Sequence, residues 1–177
     1  HSMQIQLALT HAGMPFQVRG GVQFFEQVHV KDITALFRLA VNVCDKTAWY
    51  RILQLFPGVG PRTSERLADR GADCENLAEA IRGLQTEGPR KKAEKNAIEL
   101  LADICTETSE FNDKERLVAL FRERFHDSYV ERRFEDARQR KADIKALQCL
   151  LERFPSVEAF LAEAALERDA FSSEEAM

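Results

Sequence analysis

Along most of this sequence apolar residues recur three and four positions apart, and the residues that break helices are gathered at a few points between those runs. Ile33, Leu36, Phe37, Ala40 and Val43 form one stripe within a helix expected from Val28 to Val43, with Lys31, Asp32 and Arg38 off it. Asp45 is placed to cap a helix over Thr47 to Phe56, whose inner side carries Trp49, Ile52, Leu53 and Phe56. Pro61 suits the first position of the next helix, expected to run to about Asp69 and to close with Gly71. Short and long stripes follow over Cys74 to Leu84 and over Arg90 to Thr106, the latter with Ala93, Ala97, Leu100, Leu101 and Ile104 inward. Asn112 or Asp113 can cap a helix bearing Leu117, Leu120, Phe121 and Phe125. Tyr129 to Phe154 reads as one long helix with a break near Ser128, stopped by Pro155, and Ser156 caps a last one through Leu166.

Only the N-terminal part departs from that period. Gln4 to His11 has the pattern of a short helix end, and Phe16-Gln17-Val18-Arg19 alternates as a half-buried strand does before Gly20-Gly21 stops it. Eight Gly and five Pro are few for 177 residues, and the fold class expected is all-α: a multi-helix globular domain with one short N-terminal strand. The length suits one medium domain and is too short for a motor with two lobes. An apolar fraction of 45% excludes intrinsic disorder, and no uncharged run approaches the roughly 18 to 20 residues of a membrane span.

The formal net charge of -4 is unevenly spread: residues 156–177 hold six acids and one base, which leaves the other 155 residues at +1. Bulk electrostatics therefore point to no nucleic-acid partner, and any such role must rest on a local site. Cys44, Cys74, Cys105 and Cys149 lie far apart without metal-ligand spacing, as reduced and mostly buried thiols of a cytoplasmic protein would. No secretory signal is visible, and His1-Ser2-Met3 reads as a cloning remnant.

The local site is Leu53-Gln54-Leu55-Phe56-Pro57-Gly58-Val59-Gly60-Pro61-Arg62-Thr63-Ser64-Glu65-Arg66-Leu67. It fits the helix-hairpin-helix pattern, in which an apolar residue, Gly, an apolar residue and Gly join two short helices. Gly58 and Gly60 permit turn conformations and close approach of another molecule, and Val59 is expected to anchor the hairpin inward. The second helix would turn free N–H groups and its positive dipole end toward a phosphate, with Thr63 adding a hydroxyl and Arg62 or Arg66 a charge. Such contacts hold the sugar-phosphate backbone without reading bases. The competing reading is a plain glycine-rich turn between helices.

A second segment, Ala12-Gly13-Met14-Pro15-Phe16-Gln17-Val18-Arg19-Gly20-Gly21-Val22-Gln23-Phe24-Phe25-Glu26-Gln27-Val28-His29-Val30-Lys31-Asp32, resembles a signature of the UvrD/Rep/PcrA family of superfamily 1 DNA helicases. In that family a similar run leads from the second motor lobe, 2A, into an inserted helical subdomain, 2B, and a hairpin follows after a segment like Arg38-Leu39-Ala40-Val41-Asn42. The resemblance is close over Leu7 to Leu67 and looser at Phe154 to Leu161; Met14, His29 and Ser64 depart from the commoner residues. It implies an edge of lobe 2A at residues 4–21, a 2B subdomain at 22–167 and a frayed acidic tail at 168–177. The chain then looks like an insertion cut from a larger helicase.

No phosphate-loop motif occurs, so the resemblance implies no catalytic residue, metal or cofactor in this chain, with ATP and Mg2+ held by the parent's lobes. It implies a regulatory, DNA-engaging subdomain of a 3′-to-5′ helicase in repair or replication. Gly58, Val59, Gly60, Arg62, Thr63 and Arg66 would touch duplex or junction DNA, Lys31 would add a contact, and Gly20 to Asp32 would serve as a hinge. Its partners would be the remaining lobes and DNA-repair proteins, with no membrane. The alternatives are an autoinhibitory or protein-interaction module that never meets DNA, and a free-standing repair protein. Phe16 to Arg19, lacking its sheet, would be disordered, refolded or paired with a second copy. Arg90-Lys91-Lys92 with Lys95 could touch DNA, the competing reading being a solvated helix face, and the bases of residues 132–145 read as partners of interleaved acids. His11, His29 and His126 are isolated, and Trp49 belongs to the core.

Overall fold

A computed structural model describes residues 22–86, 91–108 and 113–174. The expected strand at Phe16–Arg19, the Gly20-Gly21 stop and the Asn112 cap lie outside them. Ten α-helices follow in order among the described residues, which contain no strand: α1 Val22–Glu26, α2 Val28–Val41, α3 Lys46–Gln54, α4 Pro61–Ala72, α5 Leu77–Thr86, α6 Lys92–Glu107, α7 Lys114–Phe121, α8 Asp127–Arg133, α9 Ala137–Leu151 and α10 Val157–Glu174. A single π turn, Arg122–His126, joins α7 to α8.

Local chemistry sets four of the starts. Asp45 accepts from the Ala48 N–H and Asp113 from the Arg116 N–H, both at 2.9 Å, which satisfies donors that the first turn of a helix leaves orphaned. Asn76 does the same for Glu79 at 2.9 Å, so α5 begins after Cys74 rather than at it. Ser156 Oγ accepts from Ala159 N–H at 3.3 Å, and α10 continues beyond Leu166 to Glu174.

The helices pack in two linked groups. Helices α3 to α6 succeed one another as neighbours, and α7, α8 and α9 close the other side; α2 touches α1, α3, α9 and α10. One continuous core results, with Trp49, Phe37, Phe121 and Phe160 fully enclosed. The Trp49 indole N–H donates to the Val43 carbonyl at 2.8 Å, which removes the one polar liability of that burial.

Three expectations need correction. Gly71 does not close α4 but lies inside it, where an added Cβ would sit 2.6 Å from Trp49 Cζ2; the residue is small because the indole occupies that space. The chain is not broken near Ser128. Its break falls at Phe134, whose extended backbone (φ -132°, ψ 135°) ends α8, while the π turn carries the helix through. That wide turn puts Phe121 and His126, five apart, on one face with ring centroids 5.7 Å apart. Finally, of the four free thiols only Cys105 is buried. Cys44 and Cys149 are exposed, the first in the turn before α3 and the second on the outer side of α9.

Candidate nucleic-acid interface

The turn from Leu55 to Gly60 connects α3 and α4, two helices that pack against each other more extensively than any other pair among the described residues. Its backbone tightens in steps, with Phe56 N–H on the Leu53 carbonyl at 3.2 Å and Val59 N–H on the Phe56 carbonyl at 3.1 Å. Gly58 has φ +87°, a conformation that L side chains avoid, and its Cα face lies so near α6 that a Cβ would come 3.1 Å from Ala93 Cβ. Val59 is 6% exposed and turned into the core, so only its backbone is presented outward. Phe56 backs the turn from within, stacked on Phe125 at 4.4 Å between centroids.

Gly60 plays a different part. It is extended (φ -88°, ψ 175°) and precedes Pro61 as the N-cap of α4, and no atom stands within 4 Å of where its Cβ would be. Ser64 is fully buried and turns both its N–H (2.9 Å) and its hydroxyl (3.2 Å) onto the Gly60 carbonyl. Pro61 has no N–H to leave orphaned. Among the described residues no protein acceptor takes the N–H groups of Gly58, Gly60, Arg62 or Thr63, and Gly58, Gly60 and Arg62 are exposed. Four donors without a protein acceptor thus lie within six consecutive residues, at the positive end of a 12-residue helix.

The other expected contacts are placed elsewhere. Arg66 reaches inward to Glu94 on α6 at 2.6 Å, and Glu94 is only 2% exposed. Lys31 pairs with Glu26 and lines a groove of about 420 Å³ among α1, α2, α3 and α10, in which no hairpin residue takes part. Arg62 and Thr63 stand together on the first turn of α4, Arg62 exposed and Thr63 half-buried.

Sequence reasoning missed a polar seam inside the helices. His29 on α2 and Asp143 on α9 meet at 3.1 Å (Nε2 to Oδ2), and Arg140 donates to the other ring nitrogen at 3.2 Å. The Nε2–H is therefore the proton given to Asp143, whose second oxygen accepts from Gln139 at 2.8 Å. Burial, the largest effect, pushes the His29 imidazole below its ordinary pKa against the pull of Asp143. One turn along, the Arg51 Nε–H donates to Asp32 at 2.8 Å and a second Arg51 N–H to the Val28 carbonyl at 2.9 Å. A His at a buried helix position, spaced like its apolar neighbours, was the only sequence signal available. Among the described residues no group of three His, Cys, Asp or Glu side chains is arranged to hold a metal ion, and no helix is long and apolar enough to cross a membrane.

Residues 1–154 match the family of UvrD-like helicase C-terminal domains, and the chain belongs to that family. Among individual relatives, it is 30% identical over 115 residues to DNA helicase II of Escherichia coli (strain K12), an alignment covering 62% of this chain and 16% of that protein. It is 36% identical over 67 residues to DNA helicase II of Haemophilus influenzae, and 35% identical over 68 residues to ATP-dependent DNA helicase UvrD1 of Mycobacterium tuberculosis (strain ATCC 25618 / H37Rv). These shorter alignments cover 37% and 38% of this chain and 9% of each relative. The chain thus spans less than a fifth of the length of the relatives it matches.

Proposed function

We propose that this chain is the helical 2B subdomain of an ATP-dependent 3′-to-5′ DNA helicase, with an edge of motor lobe 2A at its N-terminus, and that it grips duplex DNA through a helix-hairpin-helix element. The observation that carries this reading is the clustering of the unpaired N–H groups of Gly58, Gly60, Arg62 and Thr63 in one turn and the helix start that follows it, with Val59 buried beneath. Donors held by rigid backbone beside a helix terminus suit phosphate oxygens, and they offer nothing that distinguishes one base from another. The grip is non-catalytic; ATP and Mg2+ would be held by the motor lobes of the parent. Swinging about the segment that leads into α2, the subdomain would govern how the duplex is presented to those lobes, in repair or replication.

A fluorescence-anisotropy titration of a tailed duplex at low and moderate salt tests this, with a Gly60→Glu, Thr63→Ala variant as comparison. Salt-sensitive binding by the natural sequence and its loss in a folded variant is the expected result. Equal binding by the two would remove the hairpin from the interface and favour a protein-interaction module.

A further inference from the structure

We infer that His126 and Asp32 form a proton-operated latch: a proton on His126 closes it onto Asp32, and the closing is transmitted through Phe125 to the hairpin turn. Its consequence for duplex affinity rests on the hairpin reading above; the link between latch and turn does not.

Buried polar atoms without partners are the starting observation. His126 on the π turn and Asp32 on α2 are each 1% exposed, and His126 Nε2 stands 3.6 Å from Asp32 Oδ2, too far for a hydrogen bond. Among the described residues neither ring nitrogen of His126 has a hydrogen-bond partner, and Asp32 Oδ2 has none either, although the other carboxylate oxygen accepts from Arg51 at 2.8 Å. Protein interiors seldom leave such atoms open, so an imidazole and a carboxylate oxygen facing each other across one gap mark a contact with a second setting. An approach of about 0.7 Å would bring them to the separation of a charge-assisted hydrogen bond.

Protonation makes Nε2 a charged donor whichever tautomer precedes it, and the open acceptor opposite is Asp32 Oδ2. The other groups gathered here are already engaged or neutral. His29 on α2 is held between Asp143 and Arg140 of α9, and Arg51 on α3 is committed to Asp32 and the Val28 carbonyl. On α8, Tyr129 lies 6.0 Å from the His126 ring; burial first, then the charge of Asp32, raise its pKa against Arg133 and Arg51, so it stays neutral.

The π turn supplies the link to the hairpin. Its width is pinned by Arg122, which spans five positions to donate twice to Asp127 (3.3 and 3.0 Å) and reaches Gln148 on α9 with another N–H. Phe125, next to His126, stacks on Phe56 with planes 22° apart and has Tyr129 against it at 5.7 Å. Phe56 in turn supplies the carbonyl that holds the Val59 N–H. Movement of His126 toward α2 is therefore passed by adjacent backbone to the ring beneath the turn, through packing that has little slack to absorb it. A closed latch fixes the floor of the turn before a phosphate arrives, which lowers the ordering required on binding.

The experiment follows the His126 ring resonances and the Val59 and Gly60 amide shifts by NMR from about pH 7.5 to about 5.5. Four proteins are compared: the natural chain, His29→Gln, His126→Phe, and His126→Gln, whose amide can donate to Asp32 at any pH. In the first two the amides should move with the midpoint of the His126 ring; in both His126 variants they should stay flat. Duplex affinity should rise about fivefold more in the natural chain than in His126→Phe over the same range. The latch is overturned if His126 does not titrate in that range, or titrates while the two amides stay flat. Amides that move equally in His126→Phe, or stop moving in His29→Gln, would assign the effect to another group and overturn it as well. If the amides follow His126 but the chain binds no duplex, the latch stands and the hairpin grip falls. If duplex binds with the same pH dependence in both proteins, the latch has no hold on affinity and that part of the inference falls.

Discussion

Gly71 and Trp49 are in contact so close that the indole fills the space a methyl group on Gly71 would need, 2.6 Å from Cζ2. Two effects compete in Gly71→Ala. Helix propensity favours alanine by about 1 kcal/mol, and overpacking against a fully buried indole costs about 1 to 3 kcal/mol. The clash should win, with a net loss of up to about 2 kcal/mol in urea unfolding. Gly83→Ala on α5 supplies the contrast, because nothing lies within 4 Å of its Cβ position; there the propensity gain should appear alone as a stabilisation.

The two glycines of the hairpin should also separate. Gly58→Ala must hold φ +87° and press on Ala93, so a loss of about 1 to 2 kcal/mol in stability is expected. Gly60→Ala, extended and in open space, should leave the unfolding midpoint nearly unchanged while weakening duplex binding through the methyl group placed among the donors. Unfolding curves and anisotropy on the same two variants check both halves. Equal stability losses would contradict the conformational assignment.

How much of this was readable beforehand depends on distance along the chain. Helix starts set by Asp45, Asp113 and Ser156 were legible because a cap acts within three residues. Gly71 was misread because a glycine near the end of a helical stripe looks like a stop, and the indole that explains it lies 22 positions earlier. The break at Phe134 has no Gly or Pro to announce it. It is fixed by contacts such as the Arg140 guanidinium 3.9 Å from the centre of the Phe134 ring. At the candidate interface the Gly-Val-Gly turn is local and its geometry could be anticipated. The pairing of Arg66 with Glu94, 28 positions away, could not, and neither could the seating of the turn on Ala93.

That pairing has a measurable cost if broken. Glu94→Ala would leave the Arg66 guanidinium without its buried carboxylate. Loss of one partner of a fully buried pair typically costs about 3 to 5 kcal/mol, and a smaller loss of about 2 kcal/mol is expected here because Arg66 is one-quarter exposed. Thermal unfolding of the variant would read it. Stability equal to that of the natural sequence would mean that the pair contributes nothing to seating the hairpin on α6.

Stability should also depend on pH through His29. Its imidazole is held below the ordinary value of 6.5 in the folded chain, chiefly by burial, so the unfolded chain takes up the proton first as pH falls. Above pH 6.5 this residue contributes no pH dependence. Below it the folded state should lose stability, by at most about 1.4 kcal/mol per pH unit, until the lowered folded value is reached. Urea midpoints for the natural chain and His29→Gln, compared at pH 7.5 and 5.5, should differ in slope over that window. Parallel pH profiles would show that His29 protonates as readily folded as unfolded.

The position of α2 gives the molecule a mechanical character. One rod carries contacts from α1 and α3 near the start of the described chain and from α9 and α10 near its end, and its first turn is bolted by Arg51 to the Val28 carbonyl and by His29 to Asp143. A load applied at Val22 is therefore expected to be shared among the helices packed on α2 rather than borne by one of them.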